Sequence, residues 1–412
     1  MSSEILFLSH RMPFPPDRGD KIRSHHILKA LAGLAPVHVA TFADDDRDMS
    51  AAAELASLAR SYRLVRRVKP LILAGIQSLF RHEAVSLPAF HSPKIASYVA
   101  KVLRDNPVDT IYVFSGQMGQ YIPEEFAGRV IFDFVDVDSA KFEAYAKRGS
   151  GIRSWLDARE ARLLGAEEAR LARRSDISLL VSAAEAALFA ARLSPLDRAQ
   201  CDVRALGNGI DSQLFDPAAV KPEPRMLECA GPRLIFTGQM DYAPNVEAAL
   251  RVATRILPLI RSRLPTASFH VVGRKPAEAQ LKHDGLGGCH IWGSVADMRP
   301  WLRAADLALV PLEIARGIQN KVLEAMAMSL PVVLSSAAAT GIGAVAGKHF
   351  DVANGDAELA AQCTALLSQP RKAKSMGFDA RRFVVQEKSW QAMLEPLSEL
   401  LALPGKPARH AA

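Results

Sequence analysis

Short apolar runs alternate with helix-length segments along nearly the whole chain, in two successive series. The first series consists of Ile5–Leu8, Val37–Phe42, Thr110–Phe114, Val130–Val135 and Ile177–Val181. The second consists of Leu234–Thr237, Ser268–Val272, His290–Trp292, Leu307–Pro311 and Pro331–Leu334. Strands that alternate with helices form parallel sheets covered by helices on both faces. The sequence therefore predicts an α/β protein with two tandem, doubly wound, Rossmann-like domains.

A stretch rich in proline separates the two series and indicates the domain boundary. Its prolines are Pro217, Pro222, Pro224 and Pro232. Such a composition with little periodicity is typical of an interdomain connection. The predicted domains are residues 1–207 and 208–385, and we expect a helix over about residues 386–403 to pack back on the first domain. Ligands of open parallel sheets bind beyond the carboxyl ends of the strands, so two such domains are expected to face a ligand cleft.

The composition limits the classes of protein to which the chain can belong. Its 412 residues are 49% hydrophobic and 23% charged, as in folded globular proteins. Neither a membrane-spanning run nor a secretory signal is recognisable, so we expect a cytoplasmic protein. Four scattered cysteines form no disulfide or zinc pattern. The net charge of +7 favours anionic ligands such as nucleotides. Nucleic acid is not expected, because aromatic residues do not interleave with the basic clusters.

A basic cluster adjoins an apolar segment in the first half of the chain. The cations that enclose the sequence PLILAGIQSLF are Arg60, Arg63, Arg66, Arg67, Lys69 and Arg81. This juxtaposition suits an anionic membrane surface and would place the protein peripherally on the inner face of the plasma membrane. The alternative is a solvated helix followed by a core helix. The sequence leaves both interpretations open.

Polar residues follow several predicted strands of the first domain, where a ligand would lie. Gly19 stands in a strand-to-helix loop beside basic residues, although the loop lacks the glycine spacing of a P-loop or a dinucleotide fingerprint. Asp136 and Asp138 follow the run Val130–Val135, and carboxylates there can act as a base, orient an acceptor hydroxyl or bind a metal. The acidic residues 44–46 also follow a run and are interpreted as a solvated loop.

The stretch RGIQNKVLEAMAMSLPVV, residues 316–333, gives the strongest ligand signal. Gly317 leads into a helix predicted over Asn320–Met328, whose N-terminus offers unpaired amides and a positive dipole to an anion. Asn320, Lys321 and Glu324 share roughly one face of this helix. The alternative is an ordinary loop, helix and strand with a surface Glu–Lys pair. Cations suited to neutralising a diphosphate are Arg274, Lys275, Arg316 and Lys321.

The order of these motifs resembles that of the family 4 glycosyltransferases, retaining enzymes of the GT-B fold. The matching pieces are VSAAEAALF (181–189), GNGIDSQLF (207–215), VVG (271–273), IWGSVADM (291–298), AADLALVPL (304–312) and GIQNKVLEAMAMSLPVV (317–333). The chain is most similar to sugar transferases associated with exopolysaccharide and exosortase (PEP-CTERM) systems, where an opening like SHRMPFPPDRGDKIRSHHIL and a later DFVDVDSAKF also occur. The resemblance implies a nucleotide-sugar donor, a saccharide or polyprenyl-diphosphate-linked acceptor, retention of configuration, and no cofactor or obligatory metal.

The resemblance also implies roles for individual residues. Glu324 would accept hydrogen bonds from the ribose hydroxyls of the donor, and the backbone of residues 317–321 would meet its diphosphate or sugar. Val295 would lie near the nucleotide base. Gly19 would allow close approach to the donor, and Gly238 belongs to the same donor site. Asp136 or Asp138 would orient the acceptor or assist as a base.

The chain departs from the family pattern at two places. Arg316 stands where relatives carry the first glutamate of an E-x7-E motif. Relatives commonly carry an arginine and a lysine after the first strand of the nucleotide domain, where this chain has Gln239 directly after Gly238 and Pro244-Asn245 further on. We hypothesise that Arg316, Lys321 and Arg274 supply the diphosphate charge instead, which makes Arg316 a candidate catalytic residue.

Three other functions remain open from the sequence. Asp136-Val137-Asp138 could be the metal-binding triplet of a GT-A glycosyltransferase. A GT-B-fold nucleotide-sugar epimerase would share the donor site. The missing first glutamate is also compatible with a catalytically silent, membrane-associated binding protein.

Overall fold

The structure, a computed structural model, describes residues 3–315 and 317–401, with the side chains of residues 71, 72 and 148 left aside. Within these residues the chain divides into two compact units. Unit 1 comprises residues 3–208 and 393–401, and unit 2 comprises residues 209–392. The return to unit 1 therefore begins at residue 393, later than the expected residue 386.

Unit 1 is built on a seven-stranded parallel sheet. Its strands are β1 (Glu4–Ser9), β2 (Val37–Ala43), β3 (Ser61–Arg66), β4 (Val108–Phe114), β5 (Arg129–Val135), β6 (Ile177–Leu180) and β7 (Val203–Ala205). Their order in the sheet is β3-β2-β1-β4-β5-β6-β7. The order of strands reverses between β1 and β4, so the loops that follow these two strands diverge and leave a crevice.

Helices flank this sheet. They are α1 (Gly19–Ala32), α2 (Asp46–Ser50), α3 (Ala52–Leu58), α4 (Leu71–Arg81), α5 (Ser86–Ala89), α6 (Pro93–Asp105), a 3-10 helix (Gly116–Tyr121), α7 (Asp138–Arg148), α8 (Gly151–Arg174), α9 (Ala183–Arg192) and α10 (Pro195–Gln200). Every residue of β1 and β2 is buried, as expected of strands covered on both faces.

Unit 2 is built on a six-stranded sheet in which every pair of neighbouring strands runs parallel. Its strands are β8 (Arg233–Thr237), β9 (Ser268–Val272), β10 (Cys289–Gly293), β11 (Leu307–Val310), β12 (Val332–Leu334) and β13 (Asp351–Val352). Their order is β10-β9-β8-β11-β12-β13, so the crevice of this sheet lies between β8 and β11.

The helices of unit 2 surround a single buried apolar core. They are α11 (Pro224–Leu227), α12 (Ala243–Arg251), a π-helix (Val252–Ile256), α13 (Leu257–Arg261), α14 (Glu278–Leu281), α15 (Arg299–Ala304), α16 (Asn320–Ala327), α17 (Ser336–Ala339), α18 (Asp356–Leu367), α19 (Pro370–Phe383), a second π-helix (Val384–Lys388) and α20 (Trp390–Met393); α21 (Leu397–Leu400) follows in unit 1. None of the helices described here has both the length and the apolar composition that crossing a membrane requires.

The two doubly wound sheets confirm the predicted α/β fold, but one local interpretation is wrong. Residues 61–66 form the edge strand β3 rather than a solvated helix. The following α4 is not a core helix either, because several of its large apolar side chains are exposed. A basic sequence is compatible with an edge strand, since such a strand has a neighbour on one side only.

A buried ion pair joins α1 to β5 inside unit 1. Arg23 and Asp133 are 1% and 0% exposed, and Arg23 Nη2 lies 2.9 Å from Asp133 Oδ2. The Tyr112 hydroxyl donates a further hydrogen bond of 3.0 Å to the same oxygen. Arg23 Nη1 donates to Asn208 Oδ1 at 2.9 Å. Burial raises the pKa of the Asp133 carboxyl, and the Arg23 guanidinium opposes this effect.

Candidate functional site

The N-terminus of α16 lies beyond the carboxyl end of β11, beside the crevice of the unit 2 sheet. Gly317, with φ of 63°, turns the chain between the strand and the helix. The N-cap residue is Gln319, and its side chain makes no capping hydrogen bond to the helix. The exposed Gly317 and Asn320 therefore stand where the first amides of α16 are available to a ligand. This geometry suits an anion, as the sequence predicts.

Lys321 is held against the end of β8 rather than beside Glu324. Its ammonium donates a hydrogen bond to Asn245 Oδ1 and lies 4.5 Å from the centroid of the Phe236 ring. Asn245 Nδ2 in turn donates to the Gln239 carbonyl at 2.8 Å. Among the described residues Lys321 forms no ion pair with Glu324, so the alternative of a surface Glu–Lys pair is wrong. The sequence did not predict that Asn245 and Phe236 contact Lys321.

Burial shifts the pKa values of both Lys321 and Glu324. It lowers the pKa of Lys321 to about 8, with the Glu324 charge opposing the change. It raises the pKa of Glu324, with Lys321 opposing. The partly buried Glu324 carboxyl makes no hydrogen bond or ion pair with any residue that the structure describes. A polar group in such surroundings is stabilised by a ligand that brings hydrogen-bond donors.

Two glycines allow the ends of β8 and β9 to approach this cluster. A Cβ atom on Gly238, whose φ is 150°, would lie 2.9 Å from Asn245 Nδ2 and 3.1 Å from Lys321 Nζ. A Cβ atom on Gly273 would lie only 1.6 Å from the carbonyl oxygen of Gly238. A side chain at either position would therefore displace the backbone or the lysine ammonium.

Replacing Gly273 by alanine is expected to destabilise unit 2 by about 3 kcal/mol, the upper end of what overpacking usually costs. The Gly238 carbonyl must move to admit the new methyl group, so nucleotide binding should weaken as well. Chemical denaturation followed by circular dichroism measures the first effect. Gly355→Ala is the control, because its Cβ would lie 3.9 Å from the nearest atom. Equal stability of the two variants would contradict the close approach.

The loop between β11 and α16 is anchored by Arg251, which sequence reasoning also missed. Its Nη1 donates to the Pro311 carbonyl at 3.1 Å and its Nη2 to the Asn354 carbonyl at 2.7 Å. Its Nε donates to Asp356 Oδ1 at 2.5 Å. The buried guanidinium fixes where the loop leaves the sheet.

The remaining predicted residues of unit 2 are Arg274, Val295 and Arg316. Arg274 is exposed, and its carbonyl accepts a hydrogen bond of 2.8 Å from the Met240 amide. Val295 is partly buried and packs against the core of unit 2. Arg316 lies outside the described residues. The described contacts thus unite Gly238 with Lys321 and place Asn320 and Glu324 on the same helix.

In unit 1 a cavity of about 420 Å³ opens in the crevice between β1 and β4. Its polar lining comes largely from the segments that follow β1, β4 and β5, namely His10, Arg11, Asp20, Ser115, Gln117, Asp136 and Asp138. Its apolar lining includes Phe90, Phe134, Phe142 and Leu164. Carboxylates, amides and aromatic rings together suit a ligand with many hydroxyl groups and apolar faces, such as a saccharide.

The cations at this cavity are already paired with carboxylates. Arg11 Nη1 lies 2.6 Å from Asp20 Oδ2, and Arg11 Nε lies 2.9 Å from Asp44 Oδ2. Arg67 Nη2 lies 2.8 Å from Asp44 Oδ1, and its guanidinium covers the Phe90 ring. The interpretation of residue 44 as part of a solvated loop is therefore wrong. Arg67 likewise serves the cavity rather than an external surface.

His10 and Asp138 form an unequal pair of ionisable groups at the cavity. Burial lowers the pKa of His10, and its Nδ1 is buried without a hydrogen-bond partner in the described chain. Burial raises the pKa of Asp138, an effect that Lys141 opposes and the Asp136 charge strengthens. Groups with pKa values shifted in this way are typical of sites that move protons.

Strained backbone precedes Asp136. Val135 has φ of 69°, and the Asp136 amide donates to the Phe134 carbonyl at 2.9 Å across it. Positive φ is costly for a β-branched residue, and such strain is concentrated at functional sites. Glu168 then fixes the start of α7, because it accepts a hydrogen bond of 3.0 Å from the Ser139 amide.

Gly19 opens α1 next to Asp20, and a Cβ atom there would meet no atom within 4 Å. The structure leaves free space at this position, so close packing within the protein does not require glycine. Among the described residues no group of three or more His, Cys, Asp or Glu side chains could hold a metal ion. Asp136 and Asp138 accordingly have no further carboxylate or histidine arranged with them as metal ligands.

Comparison with known proteins relates unit 2 to sugar-transferring enzymes. Residues 231–369 match the sequence model of a family described as glycosyl transferases group 1. Over 190 residues the chain is 28% identical to the MMP alpha-(1->4)-mannosyltransferase of Mycolicibacterium hassiacum. This alignment covers 45% of the chain and 44% of that protein. The chain thus matches less than half the length of this relative.

Solved structures of the same fold match nearly the whole chain. A crystal structure of Anabaena HepE with UDP superposes with a TM-score of 0.63 at 16% identity, covering 97% of this chain and 99% of that one. WaaG, a glycosyltransferase involved in lipopolysaccharide biosynthesis, gives 0.56 at 16% identity, covering 98% and 100%. The fold is therefore GT-B, and the family match supports a glycosyltransferase.

Proposed function

We propose that this chain is a retaining GT-B glycosyltransferase that moves a sugar from a nucleotide-diphosphate donor to a saccharide or polyprenyl-diphosphate-linked acceptor. The observation that carries the proposal is the arrangement of Lys321, Asn245 and Gly238 beside the uncapped start of α16. It lies in the crevice of a doubly wound sheet, within the part of the chain that matches the glycosyltransferase family. Synthesis of exopolysaccharide or cell-envelope glycan is the proposed setting, in the cytoplasm.

Unit 2 would bind the donor. The amides at the start of α16 and the Lys321 ammonium stabilise the negative charge that grows on the diphosphate as it leaves the sugar. An anion next to Lys321 favours its protonated form and so offsets the effect of burial. Glu324, which lacks a partner in the described chain, accepts hydrogen bonds from the ribose hydroxyls. HepE, which shares the fold, was crystallised with UDP-glucose, and this supports a nucleotide-sugar donor here.

Unit 1 would bind the acceptor in the cavity beside Asp136 and Asp138. In the transfer, the bond between the anomeric carbon and the diphosphate oxygen breaks, and a bond from that carbon to the acceptor oxygen forms on the same face. The proton of the attacking hydroxyl passes to an oxygen of the leaving diphosphate, while Asp138 accepts a hydrogen bond from a neighbouring hydroxyl of the acceptor and so orients it. The reaction needs no cofactor beyond the nucleotide sugar, and we propose that it needs no metal ion.

Asp138→Asn is expected to lower kcat about tenfold, because a hydrogen bond to a charged group contributes about 1.5 kcal/mol. Wild-type activity should fall as the pH drops through the raised pKa of Asp138, since the neutral carboxyl is a weaker hydrogen-bond acceptor than the carboxylate. The variant should lose this acidic limb in a plot of kcat against pH. Asp105→Asn, a surface substitution on α6, is the control. An unchanged acidic limb in the Asp138 variant would remove this residue from the mechanism.

The function is tested by thermal unfolding with UDP, GDP, dTDP and CMP, followed by product analysis with the matching nucleotide sugar. A preferred nucleotide should raise the melting temperature in proportion to its occupancy. Failure of all four to bind would contradict the proposal and favour a binding protein with another ligand. Conversion of the donor into an epimer without acceptor would identify an epimerase. Loss of transfer in excess EDTA would indicate a metal-dependent enzyme.

A further inference from the structure

The solvent-facing side of α4 is apolar. Leu73, Ile76, Leu79 and Phe80 are exposed, and Phe80 is 84% exposed. Ala74 and Ser78, on the opposite side of the helix, are buried. A helix on the surface of a globular protein normally buries its large apolar residues and exposes polar ones. The face of α4 therefore has the composition of a contact surface.

A second exposed apolar segment begins α8. Ile152, Trp155 and Leu156 are 81%, 61% and 48% exposed. Farther along α8, Arg159 donates hydrogen bonds to the Ser78 hydroxyl and carbonyl at 3.1 and 3.0 Å. At 1.5 Å per residue, Ile152 lies about 10 Å along α8 from this contact with α4. The two apolar segments are thus neighbours, although they are far apart in the sequence.

The two segments themselves carry only positive charges. Residues 60–82 contain six Lys or Arg and no Asp or Glu, and residues 144–156 contain three Lys or Arg and no Asp or Glu. The same two segments carry ten of the thirteen exposed large apolar side chains described in unit 1. Carboxylates from outside the segments pair with Arg60, Arg66, Arg67, Arg81 and Lys147. Arg63 and Lys69 form no ion pair within the described chain.

We propose that the exposed faces of α4 and of the first two turns of α8, together called the apolar patch, bind the surface of an anionic lipid bilayer. Exposed aromatic and aliphatic side chains enter the boundary between headgroups and acyl chains, and Trp and Phe suit that boundary. The surrounding cations attract anionic headgroups. The apolar patch is both apolar and basic. This combination matches the acyl chains and headgroups of an anionic lipid bilayer better than it matches a water-soluble protein partner.

The apolar patch adjoins the cavity, and this position would give the apolar patch a role in bringing the acceptor to the site. Val85 and Ser86, which follow α4, line the cavity, as do Glu160 and Leu164 of α8. The segment that follows α4 and the middle of α8 therefore form part of the cavity wall. This step rests on the proposed function: an acceptor held in the bilayer by a lipid would reach the cavity from the membrane-facing side.

The test is sedimentation of the full chain with vesicles of phosphatidylcholine alone and of an equal mixture of phosphatidylcholine and phosphatidylglycerol. The wild type should bind the anionic vesicles, and less strongly at high salt. Ile76→Ser combined with Phe80→Ser, and separately Trp155→Ser, should lower the partition coefficient, the double variant by at least about tenfold. Leu196→Ser is the matched control, because Leu196 is 66% exposed in unit 1 outside the apolar patch.

Failure of the wild type to bind anionic vesicles at low salt, or equal binding by the double variant, would overturn the proposal. Sedimentation velocity without lipid tests whether a second copy of the chain binds the apolar patch instead. A dimer that the same substitutions abolish would assign the apolar patch to that second copy and would also overturn the proposal. The thermal shift with nucleotide, measured on the same samples, should stay unchanged. If the wild type showed no thermal shift with any nucleotide, the proposed function would be contradicted, but the result on vesicle binding would remain valid.

Discussion

Lys321→Met is expected to lower kcat/KM about 10²–10³-fold, as does removal of one preorganised group that stabilises developing charge. The ammonium is fixed before any ligand arrives, by Asn245 on one side and the Phe236 ring on another. It therefore needs no rearrangement when the diphosphate becomes more negative. Methionine keeps the length and apolar packing of the lysine stem and removes only the charge and its donors.

The measurement is steady-state turnover together with nucleotide affinity for Lys321→Met. Lys282→Met is the control, because this lysine is an exposed residue paired with Glu278 away from the site. We expect a larger loss in kcat than in affinity, since the diphosphate gains charge in the transition state. If Lys321→Met kept both wild-type turnover and wild-type donor affinity, the assignment of the phosphate site would be wrong.

Arg23→Leu is expected to destabilise unit 1 by about 3–5 kcal/mol, the usual effect of removing one partner from a buried ion pair. The substitution leaves the fully buried Asp133 carboxylate with the Tyr112 hydroxyl but without a cation. The loss should shrink as the pH falls below the raised pKa of Asp133, because the protonated carboxyl no longer buries a charge. Urea denaturation at several pH values measures both effects, and hydrogen exchange of β5 peptides localises them to unit 1.

The matched control combines Arg23→Leu with Asp133→Leu. Replacing both partners by apolar side chains removes the uncompensated charge, so the double variant should be more stable than the single one. Arg204→Leu, at a pair with Asp202 on the surface, should change stability by less than about 1 kcal/mol. A double variant as unstable as the single one would show that packing of the arginine, and not its charge, is what stabilises this part of unit 1.

The central strands and the edge strand β10 could be predicted from the sequence, and the other three edge strands could not. The strands β1, β2, β4, β5 and β6 of unit 1 lie inside the sheet or are covered by helices, so their sequences are mostly apolar runs. The strands that escaped prediction are β3, β7 and β13, which lie at the edges of their sheets. An edge strand has only one neighbour, and two of these three are two or three residues long. Nothing in such a short or basic sequence distinguishes it from a loop.

The candidate site shows a similar division between local and distant information. The helix start near Gly317 is encoded by neighbouring residues, and the predicted helix ends within one residue of α16. The partners of Lys321 are encoded elsewhere, because Asn245 lies 76 positions away in the chain. Asp44 was misjudged for the same reason, since its cations Arg11 and Arg67 come from other loops. Contacts of this kind depend on how the strands are ordered in the sheet, which periodicity does not reveal.

The division of unit 1 between residues 3–208 and 393–401 has a consequence for how the chain folds during synthesis. Unit 2 is one continuous stretch, so all of its contacts become available before residues 393–401 have been added. Unit 1 must wait for those later residues, of which Leu397, Leu400 and Leu401 are buried. A domain completed by such distant contacts folds more slowly than one closed by local contacts. During translation, the half proposed to hold the nucleotide would thus mature first, and the half proposed to receive the acceptor would be the one that chaperones protect longest.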